Sequence, residues 1–164
     1  MALTLVLGGA RSGKSAEAER LAAAAAGPVT YLATGDATDD DMAARIAAHQ
    51  HRRPVEWTTV EVGRDLVGAL GSIDGTVLVD SLGSWLAGHE GFAADADAVA
   101  AALVARTGDT VVVSEEVGWG VHPSSEAGRA FRDALGALNQ AVAAVADVVL
   151  LVVAGRVLRL EDGR

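Results

Sequence analysis

The sequence predicts an α/β protein with three layers, in which helices cover both faces of a mostly parallel sheet. Short runs rich in Val and Leu alternate with Ala-rich stretches of helical period, the pattern of βα units. Apolar residues make up 51% of the chain and aromatic residues only 4%, so the core must consist mainly of Ala, Val and Leu. The length of 164 residues fits one domain, 1–164, rather than two.

The strands are predicted from short β-branched runs, several of which hardly alternate in polarity and so predict burial on both faces. An antiparallel edge strand should follow the turn at Ala154-Gly155. The expected strands are Leu3–Leu7, Val29–Ala33, Trp57–Val60, Thr76–Asp80, Thr110–Ser114 and Val148–Val153, then the edge strand Arg156–Leu160. Of these, the first, fourth, fifth and sixth are expected to be fully buried.

The helices are predicted from Ala-rich segments with capping signals at their ends. Gly27-Pro28 is a typical stop for the first helix. Gly136 predicts an interruption or bend in the last one, because an interior glycine costs about 1 kcal/mol relative to alanine. The expected helices are Lys14–Ala26, Asp39–Gln50, Arg64–Leu70, a short one from about Ser84 to Gly88, Asp95–Arg106 and Ser124–Ala146.

The charge and cysteine content exclude several classes of function. The formal net charge of −9 disfavours nonspecific binding to nucleic acid and to anionic membranes. Without cysteine, the chain can form neither disulfides nor thiolate metal sites. The N-terminus has no basic segment of the signal-peptide kind, and the longest apolar run is too short to span a bilayer. We therefore expect a cytoplasmic protein without stable membrane insertion.

A glycine-rich segment predicts a phosphate-binding loop between the first strand and the first helix. It matches G-x-x-x-x-G-K-[ST], in which backbone N–H groups surround a phosphate and the helix N-terminus adds partial positive charge. Lys14 would reach the β and γ phosphates, and the Ser15 hydroxyl would bind Mg²⁺. Lys14 is the only lysine beside twelve arginines. The residues of this loop are Gly8, Gly9, Ala10, Arg11, Ser12, Gly13, Lys14 and Ser15.

Asp80 ends a predicted buried strand, where P-loop proteins usually place the acid that holds magnesium. The alternative is that Asp80 only caps the helix that follows. A regulatory GTPase is disfavoured, because its guanine-binding Asn-Lys-x-Asp motif needs a second lysine.

His49 stands near the end of the second predicted helix, followed by Gln50, His51, Arg52 and Arg53. One interpretation is that these basic groups complement the negative end of the helix dipole. The other is that His49 attacks phosphorus as a neutral imidazole, while Arg52 and Arg53 bind phosphate oxygens. The residues alone leave both open.

Several segments together resemble the family of bifunctional adenosylcobinamide kinases / adenosylcobinamide-phosphate guanylyltransferases of cobalamin biosynthesis. The likeness runs from Leu3 to about Leu158, and its most specific parts are R-I-x-x-H-x-x-x-R-P, EVGxG and FRDxxGxxNQ. The matching segments are GGARSGKS (8–15), YLAT (31–34), DDDMAARIAAHQHRRP (39–54), VDSLGSWL (79–86), VSEEVGWGVHP (113–123) and RAFRDALGALNQAVAAVADVVLLVVAG (129–155).

The resemblance implies a RecA-like P-loop fold, commonly assembled as a trimer, and two reactions. A nucleoside triphosphate, ATP or GTP, phosphorylates adenosylcobinamide; GMP then passes from GTP to adenosylcobinamide phosphate through a guanylylated histidine, which falls on His49. Mg²⁺ is the implied cofactor. The GTP site would be lined by the phosphate loop and by Ala33, Thr34, Gly35, Gln50, His51, Arg52, Arg53, Glu61 and Asp80.

The sequence departs from the family pattern at three positions near these motifs. Glu115 stands where asparagine is more frequent, Gly83 where threonine is usual, and His122 where an apolar residue is usual. Two other functions compete with the implied one: a P-loop kinase of another small molecule with a structural His49, and a nucleotide-binding regulatory module without turnover.

Overall fold

The computed structural model describes residues 2–35 and 54–161. Within them, strands and helices alternate along the chain as expected for βα units. The strands are β1 (Leu3–Gly8), β2 (Val29–Ala33), β3 (Thr58–Glu61), β4 (Thr76–Asp80), β5 (Thr110–Glu115), β6 (Val148–Val153) and β7 (Arg156–Leu160). The helices are α1 (Lys14–Ala24), α2 (Leu66–Ser72), α3 (Leu82–Ala87), α4 (Ala96–Ala105) and α5 (Glu126–Val145), with a short 3₁₀ helix at Glu90–Phe92.

The strands of the described residues form one sheet in the order β3-β2-β4-β5-β1-β6-β7. Neighbouring strands are parallel from β3 to β6, and β7 pairs antiparallel with β6. The carboxyl ends of the parallel strands therefore lie along one edge of the sheet. In open α/β sheets, ligands bind outside this edge.

Two apolar cores lie on opposite faces of the sheet. Successive residues of the central strands alternate between them: Leu5 belongs to one core and Val6 to the other, and Val77 and Leu78 divide in the same way. The first core includes side chains from α2 to α5, and the second includes Ala18 and Ala22 of α1. The sequence prediction of helices on both faces is thus confirmed.

Two expectations about the C-terminal elements were wrong. The last helix is not interrupted at Gly136: α5 runs without a break from Glu126 to Val145. Burial of its neighbours Leu135 and Leu138 in the first core outweighs the modest cost of one glycine. Strand β6 is only partly buried, because it lies beside the edge strand β7, and Val153 at its end is 50% exposed.

No helix in the described parts of the chain is both long enough and apolar enough to cross a membrane.

Candidate active site

The glycine-rich loop connects β1 to α1 at the carboxyl edge of the sheet. Gly13 precedes the helix with φ of 98°, a left-handed conformation that glycine adopts without steric cost. Two backbone hydrogen bonds fix the loop to its neighbours: Glu116 N–H donates to the Gly8 carbonyl, and Gly155 N–H donates to the Ser12 carbonyl. The loop is therefore held both by the segment after β5 and by the turn between β6 and β7.

Lys14, Ser15 and Asp80 lie together beside this loop. The Ser15 hydroxyl donates to Oδ1 of Asp80 at 3.3 Å, although 65 positions separate the two residues. The Lys14 side chain is only 12% exposed, and its ammonium lies 3.7 Å from Oε1 of Glu115. Three neighbouring strands, β4, β5 and β1, thus bring two carboxylates, a hydroxyl and the only lysine to the mouth of the loop.

Asp80 does not cap the helix that follows it. The N-cap of α3 is Ser81, whose hydroxyl oxygen accepts from Ser84 N–H. The Asp80 carboxylate accepts from Ser15 on one oxygen and from the Tyr31 hydroxyl, at 2.9 Å, on the other. The capping alternative for Asp80 therefore fails, and its carboxylate is directed toward the phosphate-binding loop.

Comparison with known proteins identifies the family. The model of the cobinamide kinase / cobinamide phosphate guanyltransferase family matches residues 4–160. The bifunctional adenosylcobalamin biosynthesis protein CobP of Pseudomonas aeruginosa is 39% identical, over 96% of this chain and 96% of its own length. The proteins named CobU from Escherichia coli and Salmonella typhimurium are 35% and 37% identical, each over 93% of this chain and 96% of the relative.

The chain belongs to the cobinamide kinase / cobinamide phosphate guanyltransferase family. It is thus an enzyme of cobalamin biosynthesis, a kinase and a guanylyltransferase. A solved ATPase of a type III secretion system aligns with 92% of the chain at a TM-score of 0.61 and 9% identity, and the chain spans 50% of that ATPase. At this identity the match supports the fold alone, and it agrees with the predicted P-loop architecture.

Three further residues assigned from the family resemblance lie at or just after the carboxyl end of β2. Thr34 is buried and tied to Ser81: its hydroxyl donates to the Ser81 carbonyl and accepts from Ser81 N–H, both at 2.7 Å. Gly35 follows it, with Ser84 of α3 close by. Ala33 pairs with Asp80 on one side and Glu61 on the other. These three residues therefore lie along the same edge of the sheet as the phosphate-binding loop.

Glu61 lies at the same edge of the sheet but away from Lys14, Ser15 and Asp80. It ends β3, four strand positions from β1, which corresponds to roughly 19 Å at the usual strand spacing. Its side chain is exposed and cannot share a phosphate oxygen with Lys14. Glu61 and Lys14 are therefore well separated along this edge of the sheet.

The predicted nucleophile His49 and its neighbours Gln50, His51, Arg52 and Arg53 lie outside the described residues, as does the helix predicted over Asp39–Gln50. Their roles stay predictions. The chain enters that segment after Gly35 and leaves it at Pro54, just before β3.

Two residues beside the loop received no site role from the sequence. In the sequence, Glu115 is only a departure from the expected family pattern, and Tyr31 is only part of the YLAT segment. Glu115 ends β5 directly opposite Gly8, and Tyr31 approaches Asp80 from the neighbouring strand. Both contacts depend on strand order, which sequence periodicity does not reveal.

The oxygen atoms of Ser15 and Asp80 suit a hard cation such as Mg²⁺. Among residues 2–35 and 54–161, no three His, Asp or Glu side chains come together as a metal-binding group. Magnesium in phosphoryl-transfer sites usually takes one or two protein ligands and completes its shell with substrate phosphates and water. The pair of oxygens beside the loop is compatible with such a site.

Proposed function

We propose that this protein performs both reactions of its family at one P-loop site, within a single domain, and that it passes GMP through His49. The observation that carries the proposal is the cluster of Lys14, Ser15 and Asp80 at the mouth of the glycine-rich loop. It offers an ammonium for terminal phosphates and two oxygens for Mg²⁺. Bound Mg²⁺ would neutralise charge on the phosphate oxygens.

In the kinase reaction, a hydroxyl oxygen of adenosylcobinamide attacks the γ phosphorus of ATP or GTP. The bond between the γ phosphorus and the β-γ bridging oxygen breaks, the nucleoside diphosphate leaves, and the hydroxyl proton is released to solvent. The backbone N–H groups of residues 8–13 and the Lys14 ammonium hold the phosphates in place for this displacement. Little acid–base chemistry is needed, because phosphoryl transfer depends mainly on positioning and charge neutralisation.

In the guanylyl transfer, an imidazole nitrogen of His49 attacks the α phosphorus of GTP and pyrophosphate leaves. A phosphate oxygen of adenosylcobinamide phosphate then attacks the same phosphorus, which releases His49 and forms adenosylcobinamide-GDP. Support for His49 comes from the resemblance to the family motif R-I-x-x-H, which this sequence contains at residues 45–49. Gln50, His51, Arg52 and Arg53 would line the GTP site next to it.

Labelling with α-³²P GTP and Mg²⁺ tests the covalent step. The protein should acquire an acid-labile, histidine-linked GMP, and His49→Ala should acquire none while it still phosphorylates adenosylcobinamide. The matched control is His122→Ala, because His122 is exposed and lies after the β5 strand rather than in the motif. Equal labelling of wild type and His49→Ala would refute the role of His49, and the remaining alternative would be a kinase whose His49 is structural.

We also propose a cytoplasmic homotrimer. Exposed apolar side chains on the hairpin of β6 and β7 support a contact with another copy: Val153, Val157 and Leu158 are each about half exposed, and Leu160 is 39% exposed. Light scattering should give three times the chain mass. A monomer mass at micromolar concentration would contradict this proposal without affecting the chemistry.

A further inference from the structure

The Glu115 carboxylate lies beside the Lys14 ammonium, but its position is fixed by hydrogen bonds from other residues. Its Oε1 accepts from the Ser81 hydroxyl at 2.8 Å, and its Oε2 accepts from Gly83 N–H at 3.1 Å in the first turn of α3. The backbone of the same residue is fixed as well, because the Asn139 amide donates to the Glu115 carbonyl. The carboxylate is therefore fixed at the end of β5, facing the ammonium.

This position of Glu115 depends on the missing side chain of Gly83. A Cβ added at Gly83 would collide with Oε2 of Glu115 and would lie 3.0 Å from its Cδ. Gly83 is buried under α5, where a Cβ would also meet Leu135 at 3.5 Å, so a side chain there has no free space to turn into. The Glu115 carboxylate can therefore occupy this place only because residue 83 has no side chain.

The distance between Glu115 and Lys14 is short enough for electrostatic attraction but too long for a strong hydrogen bond, so a phosphate could take the place of Glu115 beside Lys14. A mostly buried ammonium needs a counter-ion. At 3.7 Å, Glu115 provides one without a short hydrogen bond between the two groups. A triphosphate carries more negative charge than one carboxylate and can form short, charge-assisted bonds to the same ammonium. Nucleotide binding at this loop would therefore exchange one anionic partner of Lys14 for another.

We propose that Glu115 is a positioning residue of the phosphate-binding loop. It fits beside the loop because residue 83 is a glycine, and it serves as the counter-ion to Lys14 whenever no nucleotide phosphate is bound. Glu115 directs the flexible lysine toward the loop and, by competing for it, weakens the binding of nucleotides and speeds their release. This inference rests on the proposed contact between Lys14 and the terminal phosphates.

The test measures dissociation constants for the β,γ-imido analogues of ATP and GTP, which cannot donate the γ-phosphoryl group, in the His49→Ala background. Glu115→Gln keeps the size of the side chain but removes its charge. It should bind the preferred analogue about tenfold more tightly, with correspondingly slower dissociation, since the competing anion is gone. Glu126→Gln, at an exposed glutamate in the first turn of α5, should stay within twofold.

A double-mutant cycle with Lys14→Met separates this role from simple repulsion between Glu115 and the nucleotide. In the Lys14→Met background, Glu115→Gln should change the affinity less than twofold. A tenfold gain in both backgrounds would mean direct repulsion and would overturn the proposal, as would an unchanged or weaker affinity of Glu115→Gln alone. If Lys14→Met itself leaves the affinity unchanged, the proposed phosphate contact fails, and this inference fails with it.

A second pair of variants tests the dependence on Gly83. Gly83→Ala should displace the Glu115 carboxylate and raise the affinity in the same direction as Glu115→Gln. In the Glu115→Ala background, Gly83→Ala should have no further effect on affinity, because the atom that it would collide with is absent. An equal effect of Gly83→Ala with and without Glu115 would show that Gly83 does not act through Glu115.

Discussion

The two edges of the sheet use charge in opposite ways. At the carboxyl edge, the ammonium of Lys14 lies 3.7 Å from Oε1 of Glu115, a loose ion pair beside the glycine-rich loop. At the amino edge, Arg106 is 7% exposed, and its guanidinium donates to the carbonyls of Leu70, Ile73 and Gly75 and to the Thr110 hydroxyl, at 2.7 to 3.0 Å. Lys14 is thus the cation that we propose for ligand binding, whereas Arg106 stabilises the fold.

At the amino edge, two carboxylates also accept hydrogen bonds from backbone N–H groups. Asp147 accepts from Leu3 N–H and Asp109 accepts from Ala2 N–H, each at 2.7 Å. Burial lowers the pKa of Arg106, and the nearby charge of Asp74 opposes that shift, yet an arginine stays protonated at any pH the fold tolerates. This edge should therefore determine stability, while the carboxyl edge determines activity.

The largest expected effect is that of Lys14→Ala on activity. Loss of the ammonium should lower kcat/KM of both reactions by about 10³-fold, roughly 4 kcal/mol of transition-state stabilisation. The melting temperature should change little, because the lysine forms no tight contact. Arg20→Ala, an exposed cation on the same helix, is the control and should keep full activity. Retained kinase turnover in Lys14→Ala would contradict a shared phosphate site.

Arg106→Lys should have the complementary effect, a loss of stability with normal activity per folded molecule. A lysine cannot reproduce the planar fork that binds three carbonyls, so buried acceptors lose their donors. We expect a loss of about 3 kcal/mol, which lowers the melting temperature by about 6 to 12 °C in a chain of this size. Arg159→Lys on the exposed edge strand should shift it by less than about 2 °C. A normal melting temperature for Arg106→Lys would remove the contrast between the edges.

A smaller effect is expected within the carboxyl edge from Tyr31→Phe. The lost hydroxyl donates to Asp80 Oδ2 and so helps to orient a proposed magnesium ligand. Such supporting residues typically alter metal affinity by about tenfold or more, so the Mg²⁺ concentration for half-maximal kinase activity should rise about tenfold. Saturating Mg²⁺ should restore most of the rate. Ser72→Ala, which removes a hydroxyl from α2 far from the loop, should leave the Mg²⁺ dependence unchanged.

The sequence predicts the framework of both edges better than their contacts. The bounds of β2, β4, β6 and β7 agree with prediction, since β-branched runs between turn residues are strong local signals. The phosphate-binding loop is equally local, because its glycines and Lys14 are consecutive. Asp80 could be proposed from its place at a strand end.

The contacts of Glu115 and Arg106 are nonlocal, and the sequence does not predict them. Glu115 approaches Gly83 and Lys14 only because β5 lies between β4 and β1 in the sheet. The role of Arg106 likewise depends on the carbonyls of two other segments meeting at one point. Periodicity defines elements and faces, whereas the order of strands is set by tertiary packing.

The smallest expected effect concerns the pair Glu17 and Arg20 on α1, which sharpens the contrast between exposed and buried arginines. The hydrogen bonds from Arg20 hold the pKa of Glu17 below its ordinary value of 4.5. A carboxyl group whose pKa is lower in the folded state stabilises the protein at pH values above its unfolded-state pKa. This stabilisation is lost as the pH falls through the folded-state pKa. Glu17→Gln should therefore melt slightly below wild type at pH 7, and the difference should disappear as the pH falls below 4.5. A difference that does not shrink as the pH falls below 4.5 would mean that packing of Glu17, and not its charge, stabilises the helix.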